Sequence, residues 1–274
     1  MVIVQNISVV YMVAGLSSRF GGKVKQFVKV GPNGETLIEL SVQQALKAGF
    51  NKIIFIVGDK TEILFKEKFG NNYKATPIFY AKQTFNPSER DKPWGTADAV
   101  VCAKEIIKEP FVVCNGDDIY GENTFKVLFD WMKQNSSSAT IGYDLIKVIP
   151  EKGSVNRGMF SVNESGFVTK INETLGIEKS NFESMGLSAM DPCSQNIFCL
   201  KPEAVELLQS QLNDFKLTHK GDRKSECYLP TELSNLIGKG KITLKLLRTP
   251  DEWIGVTNPE DEVTVREFLL KNKN

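Results

Sequence analysis

The first half of the chain alternates apolar runs with amphipathic segments, and this alternation restricts the fold more than any other feature. Runs rich in apolar residues predict strands at residues 7–13, 52–57, 76–81, 111–114 and 139–148, and the first two are predicted to be buried. Helical spacing of apolar residues predicts helices between them, from 36 to 49, 61–69, 96–108 and 123–134. Such an alternation indicates an α/β fold with a mainly parallel sheet and helices on both faces.

The regular alternation of predicted strands and helices ends after residue 150. Residues 158–162 and 167–171 predict a hairpin, and a less regular piece follows at 173–195. Further helices are predicted at 202–212, from 228 to 238 and at 259–271, with a strand at 242–247. The two halves therefore differ in organisation.

Composition excludes several classes of function. The net charge is +1, so no overall basic face favours nucleic acid or membranes. His219 is the only histidine, which argues against a histidine-based triad or a multi-histidine metal centre. Five cysteines without C-x-x-C spacing, mostly in apolar runs, predict buried thiols in a reducing compartment. No membrane-spanning run or signal-peptide pattern is present, so we expect a cytoplasmic protein.

The segment after the first strand has the composition of a phosphate-binding loop. Small residues begin at Ala14-Gly15, and cations follow at Arg19, Lys23 and Lys25. Small side chains let backbone N–H groups approach phosphate oxygens, and the cations match their charge. It is not a Walker A loop, because Val24 follows Gly22-Lys23. A turn with solvated lysines is the alternative interpretation.

Two more loops leave the same edge of the predicted sheet. Asp117-Asp118 follows the fourth strand, where paired carboxylates suit Mg²⁺ but also suit an ordinary turn. Gln83 follows the third strand and Gly95 precedes a helix. The Gln83 amide suits the edge of a pyrimidine, and Gly95 would let a base lie against backbone, although a polar loop explains both residues equally well. Because ligands bind beyond the carboxyl ends of parallel strands, the three loops together predict a ligand site there.

The motifs resemble those of the nucleotidyltransferases that make nucleotide sugars. Residues 14–19 followed by Lys25 are similar to their Gly-x-Gly-Thr-Arg…Lys loop. Residues 15–49 are especially close to an unassigned bacterial branch of that group, through the elements Arg-Phe-Gly-Gly, Lys-Gln and Gly-Pro-Asn-Gly-Glu-Thr. The resemblance continues at 94–97, 115–121, 224–231 and 253–257, and it covers nearly the whole chain.

The resemblance implies a glycosyltransferase-A-like, Rossmann-like fold. Its mixed, mostly parallel sheet would be flanked by helices and followed by a C-terminal sugar-binding α+β elaboration. One domain would span 1–274, with a nucleotide-binding half at 1–150 and a sugar-binding half at 151–274. The implied reaction joins an NTP and a sugar 1-phosphate into an NDP-sugar and pyrophosphate, with Mg²⁺ as cofactor.

The resemblance also implies roles for individual residues. Arg19 and Lys25 would be catalytic, with Arg19 holding the leaving pyrophosphate and Lys25 reaching the phosphates near the reacting phosphorus. Asp117 would bind Mg²⁺. The nucleotide would contact Ala14, Gly15, Ser17, Ser18, Gln83, Gly95 and Thr96. The sugar would contact Gly158, Glu173 and Asn196.

Three departures from the family pattern stand out. Thr174 replaces a lysine that contacts the sugar phosphate, so that contact is lost or taken over, for example by Lys170. Gly255 replaces the second metal aspartate, for which Thr257, Asn258 and Asp261 are candidate substitutes. Residues 185–195 also diverge from the bacterial branch, which leaves the choice of sugar open.

We expect a nucleotide-sugar pyrophosphorylase that uses UTP or dTTP, because Gln83 and Gly95 match the base contacts of uridylyl- and thymidylyltransferases. Two alternatives remain. Lys25-Gln26 also resembles cytidylyltransferases that act on methylerythritol phosphate, and nearby segments resemble phosphocholine cytidylyltransferases. The changes at Thr174 and Gly255 would fit a non-catalytic binder of nucleotide sugars. The expected partners are small-molecule substrates, with no nucleic acid or membrane, and a homo-oligomer is compatible with the sequence.

Overall fold

The computed structural model describes residues 6–15, 24–255 and 265–269. Its strands, in chain order, are β1 Ser8–Met12, β2 Lys52–Val57, β3 Asn72–Tyr73, β4 Thr76–Lys82, β5 Phe111–Asn115, β6 Asp118–Ile119, β7 Ser138–Ile141, β8 Tyr143–Asp144, β9 Val155–Val162, β10 Val168–Ile177, β11 Pro192–Cys193, β12 Phe198–Leu200, β13 Leu244–Leu247 and β14 Ile254–Gly255. Its helices are α1 Leu37–Ala48, α2 Glu62–Phe69, α3 Thr96–Cys102, α4 Glu122–Gln134, α5 Leu145–Val148, α6 Glu203–Thr218 and α7 Leu229–Gly238. Residues 265–269 are also helical.

The described strands form one large sheet and two small ones. The large sheet has the order β13-β7-β12-β5-β1-β2-β4-β3. Strands β5, β1, β2 and β4 run parallel to one another, whereas β12 runs antiparallel to both β5 and β7, and β3 antiparallel to β4. A second sheet has the order β10-β9-β11-β8, and β14 pairs with β6. The α/β fold with a mixed, mostly parallel sheet is therefore confirmed.

Helices cover both faces of the large sheet because its strands are apolar on both sides. In β1, Val9 and Tyr11 pack into one core and Val10 into the other, all without solvent exposure. The first core also contains buried residues of α1, α2 and α4, and the second contains those of α3, α6 and α7. A continuous apolar run is what such two-sided burial requires.

The local signals of α1 are confirmed. The Thr36 hydroxyl oxygen accepts a hydrogen bond from the Glu39 N–H, and the Glu39 carboxylate accepts one from the Thr36 N–H at 2.9 Å. The helix ends at Gly49, whose φ of 112° is in the left-handed region that glycine tolerates.

Several boundaries differ from the sequence predictions. The strand predicted at 139–148 ends at Ile141, because the chain crosses at Gly142 into the second sheet and then forms α5. A Cβ atom at Gly142 would lie 2.8 Å from Pro192 and 2.9 Å from Leu246, so the crossing needs a residue without a side chain. The less regular piece predicted at 173–195 begins inside β10, which continues to Ile177.

The predicted helix ends were wrong in both directions. Helix α3 ends at Cys102 instead of residue 108, and α6 continues to Thr218 instead of ending at residue 212. Of the helix predicted at 259–271, only residues 265–269 lie within the described part. Four cysteines are buried as expected, whereas Cys102 is exposed, and all five are free thiols. No helix in the described ranges is both long enough and apolar enough to cross a membrane.

Candidate active site

The loops predicted to carry the site leave the sheet at one edge. Ala14 and Gly15 follow β1, Gln83 follows β4, and Asp117 follows β5. These three strands run in the same direction, because β1 is parallel to both β5 and β2, and β2 is parallel to β4. A Cβ atom at Gly58 would lie 2.8 Å from the Ala14 carbonyl oxygen, so the ends of β1 and β2 are closely packed. A Cβ atom at Gly15 would meet nothing within 4 Å among the described residues, which leaves this backbone open to a ligand.

Lys25 and Asp117 form an ion pair at this edge. The Lys25 ammonium donates to Asp117 Oδ2 at 2.8 Å, from a short 3-10 helix at Lys25–Phe27. The side chain of Lys25 is 11% exposed and that of Asp117 is 30% exposed, so the carboxylate is the more open of the two. The structure thus brings together two of the three residues expected to handle phosphate and metal. Arg19, together with Ser17 and Ser18, lies outside the described residues.

The two adjacent aspartates have different environments. Asp118 is buried, and its Oδ2 accepts hydrogen bonds from Asn115 Nδ2 at 2.8 Å and the Tyr120 hydroxyl at 3.2 Å. Burial, followed by the neighbouring Asp117 charge, raises the pKa of Asp118 to about 7, against the opposing effects of Asn115 and Lys25. Asp117 is therefore the more exposed of the two carboxylates, and Asp118 belongs to the supporting hydrogen-bond network.

Gln83 is held in one orientation by two acceptors. Its Nε2 donates to the Gly95 carbonyl oxygen at 3.0 Å and to Asp98 Oδ2 at 2.8 Å. Asp98 also accepts from Lys216 at 2.7 Å, as expected for an ionised carboxylate. Both amide hydrogens are used, whereas Gln83 Oε1 has no donor among the described residues. The Gln83 amide thus offers a ligand a hydrogen-bond acceptor but no free hydrogen-bond donor.

Gly95 and Thr96 join this region to the start of α7. Gly95 has a φ of 98°, and a Cβ atom there would lie 2.6 Å from the Cys227 carbonyl oxygen. The Thr96 hydroxyl accepts a hydrogen bond from the Leu229 N–H at 2.8 Å. The glycine is required here by close approach of two backbone segments, and the Thr96 hydroxyl already has a protein partner. Nucleotide contacts by both residues stay predictions.

A cavity of about 310 Å³ opens beside Asp117. The three residues predicted to contact sugar all line it, namely Gly158, Glu173 and Asn196. Gly158 lies opposite Glu173 in the β9–β10 pair, and a Cβ atom there would approach Ile171 Cγ2 to 3.1 Å. The structure therefore brings the predicted sugar residues and the predicted metal residue to one cavity.

Polar groups of this cavity are directed at each other and at the open space. Asn196, with a φ of 58°, donates from Nδ2 to Asn115 Oδ1 at 2.7 Å, and its buried Oδ1 has no partner within the described residues. Burial raises the pKa of Glu173, and the charge of Arg157 partly opposes this shift.

Sequence reasoning missed other residues of the cavity wall. These include Asn115, Asn156, Arg157, Ser194, Gln195, Pro230 and Trp253. Asn115, Pro230 and Trp253 were within recognised motifs but had no role assigned to them. Arg157 is the residue before Gly158, so adjacency was its only local signal. Trp253 is brought to the cavity by the pairing of β14 with β6.

The departures at Gly255 and Thr174 have structural counterparts. Gly255 pairs with Asp118, and a Cβ atom at Gly255 would lie 2.5 Å from the Trp253 ring and 2.9 Å from Asp118 Oδ1. An aspartate therefore does not fit at position 255 as the chain is packed. Thr174 pairs with Arg157 across the hairpin. The alternative metal candidates Thr257, Asn258 and Asp261 lie outside the described residues.

The carboxylates of the site fit Mg²⁺ better than a transition metal. Among the described residues, no group of three or more histidine, cysteine, aspartate or glutamate side chains could hold a metal ion. Mg²⁺ does not need such a cage, because it uses one or two carboxylates together with substrate phosphates and water. The partly exposed oxygens of Asp117 match that requirement.

Comparisons with solved structures agree with this architecture. A UDP-glucose pyrophosphorylase from Acinetobacter baumannii is 16% identical with a TM-score of 0.65, over 98% of this chain and 95% of that one. A UDP-glucose pyrophosphorylase complexed with UDP-glucose is 14% identical with a TM-score of 0.68, over 98% and 100%. A putative glucose-1-phosphate thymidylyltransferase from Bacillus anthracis is 14% identical with a TM-score of 0.70, over 98% and 96%. At these identities the likeness establishes the fold alone.

Sequence comparison establishes the family. No curated protein sequence matches the chain significantly. A family model for nucleotidyl transferases, however, matches residues 21–193, which is more than half of the chain. The match includes Lys25, Gln83, Asp117, Gly158 and Glu173. The expectation of a transferase enzyme is confirmed, and the chain belongs to the nucleotidyl transferase family.

Proposed function

We propose that this enzyme joins UTP or dTTP to a sugar 1-phosphate, giving an NDP-sugar and pyrophosphate. The observation that carries the proposal is the Lys25–Asp117 pair, which lies at the carboxyl end of the parallel strands and borders the cavity lined by Gly158, Glu173 and Asn196. This arrangement puts a cation and an open carboxylate between a strand-end loop and a polar cavity of sugar size. The two substrates would meet there.

The chemistry requires positioning and charge neutralisation. A sugar phosphate oxygen attacks the α-phosphorus of the nucleotide while pyrophosphate leaves, and the protein forms no covalent bond. The Lys25 ammonium has three N–H donors and, among the described residues, gives one to Asp117, which would leave two for phosphate oxygens. Asp117 would hold Mg²⁺, which when bound supplies further neutralisation of phosphate charge. Arg19 remains our candidate for holding the pyrophosphate.

The Gln83 amide supports the choice of base. Its free Oε1 is an acceptor, and uracil and thymine carry an N3–H donor on the edge that such an acceptor would meet. Cytosine has an unprotonated N3 at the same position. This nitrogen is also an acceptor, so it cannot form a hydrogen bond with Gln83 Oε1. The salt-bridged Asp98 prevents the amide from turning over, because its carboxylate can only accept. This favours UTP or dTTP over the CTP-dependent alternative.

The test is a matrix of four NTPs and several sugar 1-phosphates with Mg²⁺, measured by pyrophosphate release. We expect turnover with UTP or dTTP, and Lys25→Ala or Asp117→Asn should lower kcat at least ~100-fold. Lys47→Ala is the matched control, because Lys47 also forms a carboxylate pair, with Glu122, but is exposed and outside the cavity. Turnover confined to CTP with an alcohol phosphate would replace the proposal with the cytidylyltransferase alternative.

A second variant pair tests the base contact. Gln83→Met should raise the KM for UTP or dTTP by about 10-fold through loss of the acceptor. Gln209→Met, on the surface of α6, should leave it unchanged. Stabilisation against heat by NDP-sugars without any turnover would instead favour a non-catalytic binder.

A further inference from the structure

Arg157 is a largely buried cation without a carboxylate partner. Its Nη2 donates to the Val148 carbonyl oxygen at 2.9 Å and its Nη1 to the Asn156 carbonyl oxygen at 3.2 Å. Its Nε is buried and has no hydrogen-bond partner within the described residues. No salt bridge to Arg157 forms in the described part of the chain, although a buried guanidinium remains charged and is costly to leave unpaired.

The surroundings of Arg157 are suited to an incoming anion. Among the described residues that line the cavity, Arg157 is the only cationic one, and it shares the wall with three acidic residues, Asp117, Asp118 and Glu173. The ammonium of Lys25 is paired with Asp117 and does not line this cavity. An anion that enters this cavity would therefore find Arg157 as its unpaired cation.

The position of the guanidinium is fixed. Its central carbon lies 5.3 Å from the centre of the Trp253 ring, and two backbone carbonyl oxygens hold its Nη atoms. Of its five N–H donors, three have no acceptor among the described residues: the buried one on Nε and one on each Nη. A planar fork of free donors matches the oxygens of a phosphate group, which a single ammonium does not.

The strand register puts this fork beside the predicted sugar residues. Gly158, the next residue of β9, pairs with Glu173, and Arg157 itself pairs with Thr174. We propose that Arg157 binds the phosphate group of the sugar 1-phosphate, an assignment that rests on the proposed function. The cation that binds the phosphate group of the sugar 1-phosphate then comes from β9 and not from position 174 of β10.

The experiment separates KM values for the two substrates. Arg157→Gln should raise the KM for sugar 1-phosphate by about 10- to 100-fold through loss of charged hydrogen bonds, with the KM for the NTP changing less than about twofold. Arg157→Lys keeps the charge but loses the fork, and should fall between the wild type and Arg157→Gln. Adding Thr174→Lys to Arg157→Gln should recover part of the loss, because it returns a cation from the paired strand.

Two further variants exclude a merely structural effect. Arg248 also donates to two backbone carbonyl oxygens, of Gly142 and Met190, but does not line this cavity, so Arg248→Gln should leave both KM values unchanged. Lys170 is exposed on β10 and represents the rival source of the cation. An increased KM for sugar 1-phosphate in Lys170→Gln, with none in Arg157→Gln, would overturn the assignment. If Arg157→Gln fails to fold, Arg157→Lys alone decides, and an unchanged KM for sugar 1-phosphate in that variant overturns it.

Calorimetry distinguishes failure of this assignment from failure of the proposed function. If no NTP and sugar 1-phosphate pair is turned over, binding of the same sugar 1-phosphates and of the free sugars is measured directly. Binding that needs the phosphate group and is lost in Arg157→Gln supports the assignment even though the proposed reaction has failed. Absence of phosphate-dependent binding to the wild-type protein overturns both.

Discussion

Gly95→Ala should destabilise the protein more than the same change at another strained glycine. Gly95 has φ 98° and ψ −168°, a region that glycine alone adopts readily, and the cost there is about 1–3 kcal/mol. The new Cβ would also lie 2.6 Å from the carbonyl oxygen and 2.9 Å from the nitrogen of Cys227. These are backbone atoms that cannot rotate away, and overpacking adds about 1–3 kcal/mol. We expect a total loss of about 2–6 kcal/mol.

Gly70 provides the matched control. It has φ 56° and ψ −144°, also a positive φ with an extended ψ, but a Cβ atom there would meet nothing within 4 Å in the described structure. Gly70→Ala should therefore lose only the conformational part, about 1–3 kcal/mol. Urea denaturation followed by circular dichroism gives both free energies of unfolding, and equal m-values would show that the denatured states are comparable.

The difference between the two glycine variants measures the contact with Cys227. A loss in Gly95→Ala no greater than that in Gly70→Ala would refute the argument, because the backbone at Cys227 would then have moved aside at no cost. The Gly95 carbonyl oxygen also accepts from Gln83, so any folded Gly95→Ala protein should show a raised KM for UTP or dTTP.

Three other changes can be tested by the same unfolding assay. Phe55→Ala removes a fully buried ring from β2 and should lower the free energy of unfolding by about 3–5 kcal/mol. Phe79 on β4 is 41% exposed, so Phe79→Ala should lower it by less than about 1 kcal/mol. Similar losses in the two variants would contradict the packing argument. Thr36→Ala breaks the capping box and should cost about 1 kcal/mol, with Thr36→Ser retaining most of the stability. Hydrogen bonds from the Ser225 hydroxyl and nearby N–H groups lower the pKa of Asp222 to about 2, below its unfolded value of about 3.9. The Asp222 carboxylate therefore stabilises the fold above about pH 4, and this stabilisation is lost as the pH falls toward about 2. In Asp222→Asn, the free energy of unfolding should decrease less over this pH range than in the wild type.

Elements with strong local signals were predictable. The run that became β2 was predicted with its observed bounds, because apolar β-branched residues end abruptly at Gly58-Asp59. Helix α1 was predictable from Thr36, Glu39 and Gly49, whose side chains and backbone conformations act within one turn. In both cases the information lies within a few residues.

Elements that depend on distant partners were not predictable. Strand β12 is only three residues long, and its place between β5 and β7 comes from pairing with partners that lie 58 to 89 positions earlier in the chain. The run at 139–148 is mostly apolar, and its two charged residues, Asp144 and Lys147, do not show that Gly142 passes between Pro192 and Leu246. Periodicity alone could not separate one long strand from two short ones and a helix.

The residues of the candidate site likewise separate into those with a local sequence signal and those that depend on distant contacts. Lys25 and Asp117 were recognised because each belongs to a short motif at a strand end, and the parallel sheet brings such ends together. The different burial of Asp118, the fixed orientation of Gln83 and the unpaired guanidinium of Arg157 arise from contacts between separate parts of the chain. A sequence gives the residue types for such contacts but not their partners.

The insertion of β12 has a consequence for synthesis of the protein on the ribosome. When only the first 150 residues have emerged, β5 has an apolar edge without its neighbour, and β7 lacks both β12 and β13. Such an open edge can pair with other nascent chains until residues 198–200 arrive and occupy it. Slow translation across residues 150–200 would therefore lengthen the period in which this enzyme is prone to aggregate.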